Sequence, residues 1–377
     1  MIPEDWEVWK LGEVVDFLDG QRRPVKDSDR AKMRGDFPYY GASGIVDYVD
    51  DFIFDEDLIL LGEDGENILS RNCRLAFRVS GKVWVNNHAH VLRPRAGIDI
   101  GYLTEYLESL NYEQYNTGTA QPKLNKLVCS KIPILRPQHE EQRAIAVALS
   151  DVDALISAQD KLIAKKRDLK QAAMQQLLTG KKRLPGFSGV WEVKRLGDAF
   201  TVTAGGDYEP SKSSLIRDET YCYPIYSNSL SEKGLYGFCS YSDHEADSIT
   251  VTARGTLGIA NYRDHKFTAI GRVLVLEAKE PSDGRFFAEF INSRIDFVVE
   301  STGVPQLTAP QISKYELPVP SHSEQTAIAT VLSDIDAEIT ALEQKRDKTR
   351  DLKHGMMQEL LTGRTRLPLD EGMPCVA

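Results

Sequence analysis

The chain has 377 residues, 41% of them apolar and 27% charged, which is enough for two globular domains plus connecting elements. Its five cysteines (Cys73, Cys129, Cys222, Cys239 and Cys375) are scattered with no C-x-x-C pair, which argues against a zinc site or a disulfide framework and suits a reducing compartment. The net charge of −10 runs against a nucleic-acid partner unless positive charge is gathered locally. Such clusters occur at Arg22/Arg23/Lys26, Arg71/Arg74/Arg78, Lys165/Lys166/Arg167 and Lys181/Lys182/Arg183.

The first residues lack a basic stretch followed by an apolar one, and no apolar run reaches the ~18 residues of a membrane span. A cytoplasmic protein without a membrane partner is expected. The first globule opens on WEVWKLGEVVDFLDG, from Trp6. Short β-rich runs follow at 57–61, 74–79 and 82–85, punctuated by Gly, Asn, Asp and Pro. GYLTEYLESL, from Gly101, reads as a helix. From Glu141 a longer helix is expected. Ile145 and Val152, then Leu155, Leu162 and Leu169, recur every seven residues and predict a seam against another helix. Gln159 and Lys166 interrupt that seam. Pro137 precedes the helix, Gly180 stops it and Pro185 lies beyond. Continuous from Glu141 to Leu178, it would span roughly 57 Å.

Then the pattern starts again. WEVKRLGDAFTVTAGG begins at Trp191, β-rich runs occupy 248–253 and 272–277, and RFFAEFINSRIDFVV from Arg285 reads as a helix. A second long helix from Glu324 carries Ile328, Ile335, Leu342 and Met356 at heptad spacing, interrupted by Thr349. Pro320 precedes it, and Gly363 and Pro368 end it. Residues 369–377 read as a disordered tail.

The two long segments, from Glu141 and from Glu324, are identical at 26 of 45 positions at an offset of 183. Flanking frames repeat too: PYYGAS (from Pro38) with PIYSNS (from Pro224), NTGTAQPKL (from Asn116) with STGVPQL (from Ser301), and IPILRPQHEEQ (from Ile132) with LPVPSHSEQ (from Leu317). Between the frames, residues 45–115 and 230–300 differ. The chain is therefore a pseudo-twofold tandem repeat. Its expected class is α+β, with mixed α/β globules at 1–138 and 186–320, helices at 139–185 and 321–368, and a tail at 369–377.

This order of variable globule, helix, variable globule and helix resembles the specificity subunit of Type I restriction–modification systems over nearly the whole chain. The motifs that carry the resemblance are the WEV…LG start of each globule, YYGASG, GEDG, VNNHAHVLRP, ARGTLG, and the TG…Q…IP…EQ run into each helix. The resemblance implies two target-recognition domains, each reading one half of a bipartite, asymmetric duplex DNA target, and two helices that pair as an antiparallel coiled coil and set the gap. It implies two adenine-N6 methyltransferase subunits and restriction/translocase subunits as partners. S-adenosylmethionine, ATP and Mg would belong to those partners, leaving no cofactor in this chain. A Type IIB-like system with a combined cleavage and methylation partner is the nearest alternative.

Base reading needs Arg or Lys for guanine, Asn or Gln for adenine and apolar atoms for thymine. Loops carry such groups. The candidates in the first globule are Arg22, Arg23, Tyr39, Tyr40, Ser43, Asn86, Asn87, His88, Gln121 and Lys123. In the second they are Tyr208, Lys212, Tyr226, Asn228, Arg254, Lys266 and Gln306. Tyr39, Tyr40 and Tyr226 read more readily as core, while Asn86/Asn87 read equally as a turn and Arg22/Arg23 as a solvated face. Gln121 and Gln306 stand out by recurring in both halves. His88 and His90 alternate, which would place both on one side of a strand; with no third ligand or carboxylate beside them in sequence, they are only a weak metal signal and no metal site is expected.

Catalytic signatures are missing. No Pro-Pro dipeptide exists for the loop with which an adenine methyltransferase holds a flipped base. There is no phosphate-binding G-x-x-x-x-G-K-[ST] and no G-x-S-x-G elbow. A DNA methyltransferase in its own right would have to bind S-adenosylmethionine alone. A pure coiled-coil adaptor has no use for two matched frames with divergent interiors.

Overall fold

A computed structural model describes residues 2–297 and 306–368. The tail at 369–377 and the start of the second TG frame (301–305) lie outside the described residues. Four helices here have ten residues or more: α1 (Ile100–Ser109), α2 (His139–Leu177), α3 (Gly284–Arg294) and α4 (His322–Leu360). By contacts the chain divides into two compact units, Met1–Asp160 with Gln344–Ala377, and Lys161–Glu343. Each unit holds one globule and a segment of each long helix.

The first unit has ten strands: β1 (Glu7–Lys10), β2 (Val15–Phe17), β3 (Arg34–Gly41), β4 (Gly44–Val49), β5 (Phe54–Asp55), β6 (Leu58–Gly62), β7 (Ala76–Val79), β8 (Lys82–Val85), β9 (Ala89–Pro94) and β10 (Pro133–Arg136). They form sheets ordered β2-β9-β6-β7 and β4-β3-β8-β5, and a ribbon β1-β10. β6 explains the layering. Its sequence LILLG is apolar throughout and buried throughout. Side chains alternate along a strand, so Ile59 and Leu61 join the cluster of α1, with Tyr102 and Leu107. Leu58 and Leu60 join Val83 and Val85 of the other sheet. Each buried leucine contributes about 2 kcal/mol.

The second unit repeats this plan with β11 (Glu192–Arg195), β12 (Phe200–Ala204), β13 (Ser213–Ser214), β14 (Tyr223–Tyr226), β15 (Leu235–Cys239), β16 (Ser248–Thr252), β17 (Ala260–Arg263), β18 (Thr268–Ala269), β19 (Val273–Ala278) and β20 (Glu316–Val319). The sheets are β12-β19-β16-β17 and β13-β15-β14-β18, with a ribbon β11-β20. Ile249 and Val251 of β16 pack with Phe286 and Phe287 of α3.

Within each unit the segments of α2 and α4 run antiparallel. In the first, Asp153 meets Lys353 and Asp160 meets Arg346; in the second, Lys170 meets Asp336. The seam of α2 advances in alternating steps of three and four through Gln142, Ile145, Leu149, Val152, Ile156 and Gln159, then Ile163, Lys166, Lys170, Ala173 and Leu177, all buried or half-buried. α4 does the same from Gln325 and Ile328 to Met356 and Leu360. The seam expected in α4 is the observed one. In α2 the expectation is corrected after Val152: Leu155, Leu162 and Leu169 are 48%, 42% and 52% exposed. Their seven-residue spacing is real, but it marks the row beside the seam, while the seam itself continues through polar Gln159 and Lys166.

The same anchors fasten each globule to the helices. Trp6 Nε1 donates to Glu141 at 3.1 Å, and Arg366 bonds both Glu141 and Asp5. Trp191 Nε1 donates to Glu324 at 3.0 Å, and Arg183 bonds Glu324. The next residue, Gln142, accepts from Asp99 N and donates to Pro137 O; Gln325 accepts from Asp283 N and donates to Pro320 O. The repeated Glu-Gln pair is thus a structural clamp. Gly180 and Gly363 end the helices in the left-handed region, at φ 66° and 72°.

Candidate nucleic-acid interface

In the first unit four loops meet at one end of the β9-β6 pair. Asn86 N donates to Tyr40 O at 3.0 Å, Glu63 N to His88 O at 2.8 Å and Leu124 N to Glu63 O at 2.7 Å. Asp64 bridges to Lys123. A cavity of about 520 Å³ lies at this end, lined by Ser43, Asp64, Asn86, Asn87 and His88 among others. Asn86 is nearly buried, and its Oδ1 accepts from His88 N at 2.8 Å, so it shapes the turn. His88 Nδ1 lies 2.9 Å from Asp64. A carboxylate only accepts, so that nitrogen carries the proton, leaving Nε2 to meet a ligand. Asp64 was not among the sequence candidates; its only signal was the GEDG motif.

Arg22 belongs to the structure beneath this end. Its guanidinium donates to Glu63 at 2.6 Å, to Ala89 O at 2.7 Å and to Asp19 O at 3.0 Å. His90 is buried beside it, with Nδ1 2.8 Å from Asp19 and Nε2 2.8 Å from Leu124 O. Burial opposes charge on His90, but the bond to Asp19 and the neighbouring Cys129 outweigh it and push its pKa up to about 10. Burial would also raise the Asp19 carboxyl, yet His90 holds it below the usual carboxylate value. His88 lies just before β9 and is exposed, whereas His90 within β9 is buried, and each has the carboxylate that sequence neighbours did not supply. Among the described residues no three His, Cys, Asp or Glu side chains gather to hold a metal.

Tyr39 is 1% exposed, its hydroxyl accepting from Val25 N at 3.0 Å. Tyr40 packs on Phe77. Arg23, Ser43, Asn87, Gln121 and Lys123 are exposed. Lys123 reaches Glu63 at 3.3 Å. The cluster Arg71, Arg74 and Arg78 is not a free basic patch: the three pair with Glu108, Glu105 and Asp57.

In the second unit Tyr226 is largely buried under Arg263, 3.4 Å from its ring centre, and bonds His265. Tyr208 meets Tyr236, Lys212 pairs with Glu209, and Lys266 with Glu245. Asn228 holds a loop: Oδ1 accepts from Ala253 N at 2.8 Å and Arg254 N at 3.3 Å, and Nδ2 donates to Arg254 O. Arg254 bridges to Gln306. The backbone register corrects one sequence pairing. Leu124 N bonds Glu63 O, and Leu307 N bonds Ala253 O, so Gln306 occupies the place of Lys123, not of Gln121. A two-residue difference in loop length hid this.

The family model described as Type I restriction modification DNA specificity domain matches residues 3–165 and again 189–349. A putative type I restriction enzyme specificity subunit of Haemophilus influenzae is 36% identical over 150 residues, covering 40% of this chain and 38% of its own length. A putative type I specificity subunit of Mycoplasma pneumoniae is 27% identical over 334 residues, 87% of this chain and 88% of its own. The crystal structure of a Type-I restriction-modification system S subunit from M. genitalium superposes with a TM-score of 0.66 at 16% identity, covering 95% of this chain and 96% of that one. With both halves matched and the fold shared, the chain belongs to the family of Type I restriction–modification specificity subunits.

Proposed function

We infer that this chain is a non-catalytic DNA reader, each unit engaging one half of a bipartite, asymmetric duplex target. Paired α2 and α4 set the unread gap and dock two adenine-N6 methyltransferase subunits, with restriction/translocase subunits joining for cleavage. S-adenosylmethionine, ATP and Mg belong to those partners. The observation that carries the reading is duplication with divergence. β6/β9 and β16/β19 share one register and the same anchors on the helices, while the residues at their loop ends differ. A repeated frame suits repeated partners, and different loop ends suit different half-sites. Reading residues on loops held by rigid sheets also fits the way base contacts specify while phosphate contacts position.

The test is co-expression with the methyltransferase encoded beside it, followed by single-molecule sequencing of host DNA for N6-methyladenine. A bipartite motif with one methylated adenine on each strand is expected. An assembled complex that adds no methylation would refute the reading.

A further inference from the structure

Three positions can be equated between the units from backbone bonds alone. Gly62 faces Ala89 as Thr252 faces Val273. One residue further, Glu63 N donates to His88 O as Ala253 N donates to Arg272 O, at 2.8 and 3.0 Å. Asp64 bridges to Lys123 as Arg254 bridges to Gln306. Asp64, His88 and Lys123 therefore stand where the second unit has Arg254, Arg272 and Gln306.

The chemistry at these places is inverted. In the first unit the side chains have partners within the protein: Asp64 holds His88 at 2.9 Å, and Lys123 reaches Glu63 at 3.3 Å. In the second, neither guanidinium has a protein partner among the described residues, although most other arginines of the chain are paired. Arg254 has its peptide gripped on both sides by Asn228. Arg272 is exposed and sits at φ 77°, a conformation non-glycine residues seldom adopt. Residues held in such conformations concentrate at binding sites. An exposed and a half-buried arginine, both unneutralised and at one pinned loop end, are poised for an acceptor pair. The O6 and N7 edge of guanine matches the guanidinium fork, and the adenine edge matches Gln306. Asp64, an acceptor, suits instead the amino group of cytosine.

We propose that Arg254 and Arg272 read guanine in the half-site of the second unit, and that these three equivalent positions make the two half-sites differ. The proposal rests on the DNA-reading function inferred above. The sequence alone singled out Arg254 but neither Arg272 nor Asp64.

The test uses the full chain assembled with its methyltransferase subunit and a pool of duplexes with randomised positions, sequencing the bound fraction. Wild type is compared with R254A, R272A and R272K. R272A should lower the preference for one guanine about ten- to a hundredfold and leave the other half-site unchanged. R254A should relax a second position of the same half-site. R272K should keep overall affinity and weaken the preference for the same guanine less than R272A does, because an ammonium can still donate to O6 and N7 but lacks the planar fork; this also separates lost reading from lost folding. An unchanged motif, a uniform loss of affinity with the motif intact, or a change in the other half-site would overturn the proposal. A wild-type complex that enriches no motif would instead overturn the DNA-reading function, and the proposal with it.

Discussion

Gln159 of α2 donates from Nε2 to Thr349 Oγ1 of α4 at 3.2 Å inside the first unit's helix seam, with both side chains almost wholly buried. Gln159 Oε1 has no partner there. By the internal repeat, the equivalent seam positions in the second unit are Leu342 and Lys166. A polar pair in an apolar seam costs stability and fixes alignment, because any slide of one helix takes the buried Gln159 amide away from the Thr349 hydroxyl.

Replacing both residues with leucine (Q159L with T349L) should therefore raise the unfolding midpoint, by about 1 kcal/mol of stability. Gln159→Leu alone should gain less, because it leaves the Thr349 hydroxyl without this partner. Calorimetry on the single and double variants checks the order. A double variant less stable than wild type would show that the pair is net stabilising.

His90 makes stability pH-dependent in a stated direction. Its folded pKa of about 10 lies above the ordinary histidine value of 6.5. Below 6.5 the ring is protonated whether folded or not, and its contribution is complete. Between 6.5 and 10 the unfolded chain releases a proton that the folded chain keeps, so stability falls, and it is lost as pH passes 10. Thermal midpoints across pH 6 to 10 should decline in the wild type, and the slope should flatten in H90Q.

Arg22 and Arg23 are neighbours with different tasks. Arg22 is surrounded by Glu63, Asp19 and the Asn87 and Ala89 carbonyls, so R22A should cost about 2 kcal/mol of stability by taking the nearest cation from a largely buried carboxylate that keeps Lys123. Arg23 is exposed, and R23A should leave stability within ~0.5 kcal/mol. If Arg23 touches phosphate, R23A will weaken binding evenly across sequences and reduce the salt dependence by about one charge. Denaturation and DNA titrations at several salt concentrations separate the two.

Gly118 makes the loop that carries Gln121 and Lys123 possible. A Cβ there would lie 1.8 Å from the Gln121 carbonyl oxygen. G118A should therefore rebuild the loop and lower DNA affinity without unfolding the core, since Leu124 and β6 stay buried. Unchanged affinity in a folded G118A variant would remove this loop from the interface.

The duplication, the two long helices and their stops were legible in the sequence, because heptad spacing, a glycine stop and a repeated frame are local signals. Gln159 and Thr349 could be placed in the seam for that reason. Leu155, Leu162 and Leu169 misled because a seven-residue period marks every row of a helix equally; only the partner helix selects which row is buried. The loop ends were less legible still. Arg22 is immobilised by Glu63, 41 residues away, Gln306 takes the place of Lys123, and Arg272 has no partner among the described residues while Arg71, Arg74 and Arg78 are paired. Which cation is neutralised depends on the carboxylates that strand pairing brings beside it. Those pairings join residues distant in sequence, so sequence supplied the candidate charges and the tertiary structure decided which of them remain available to a ligand.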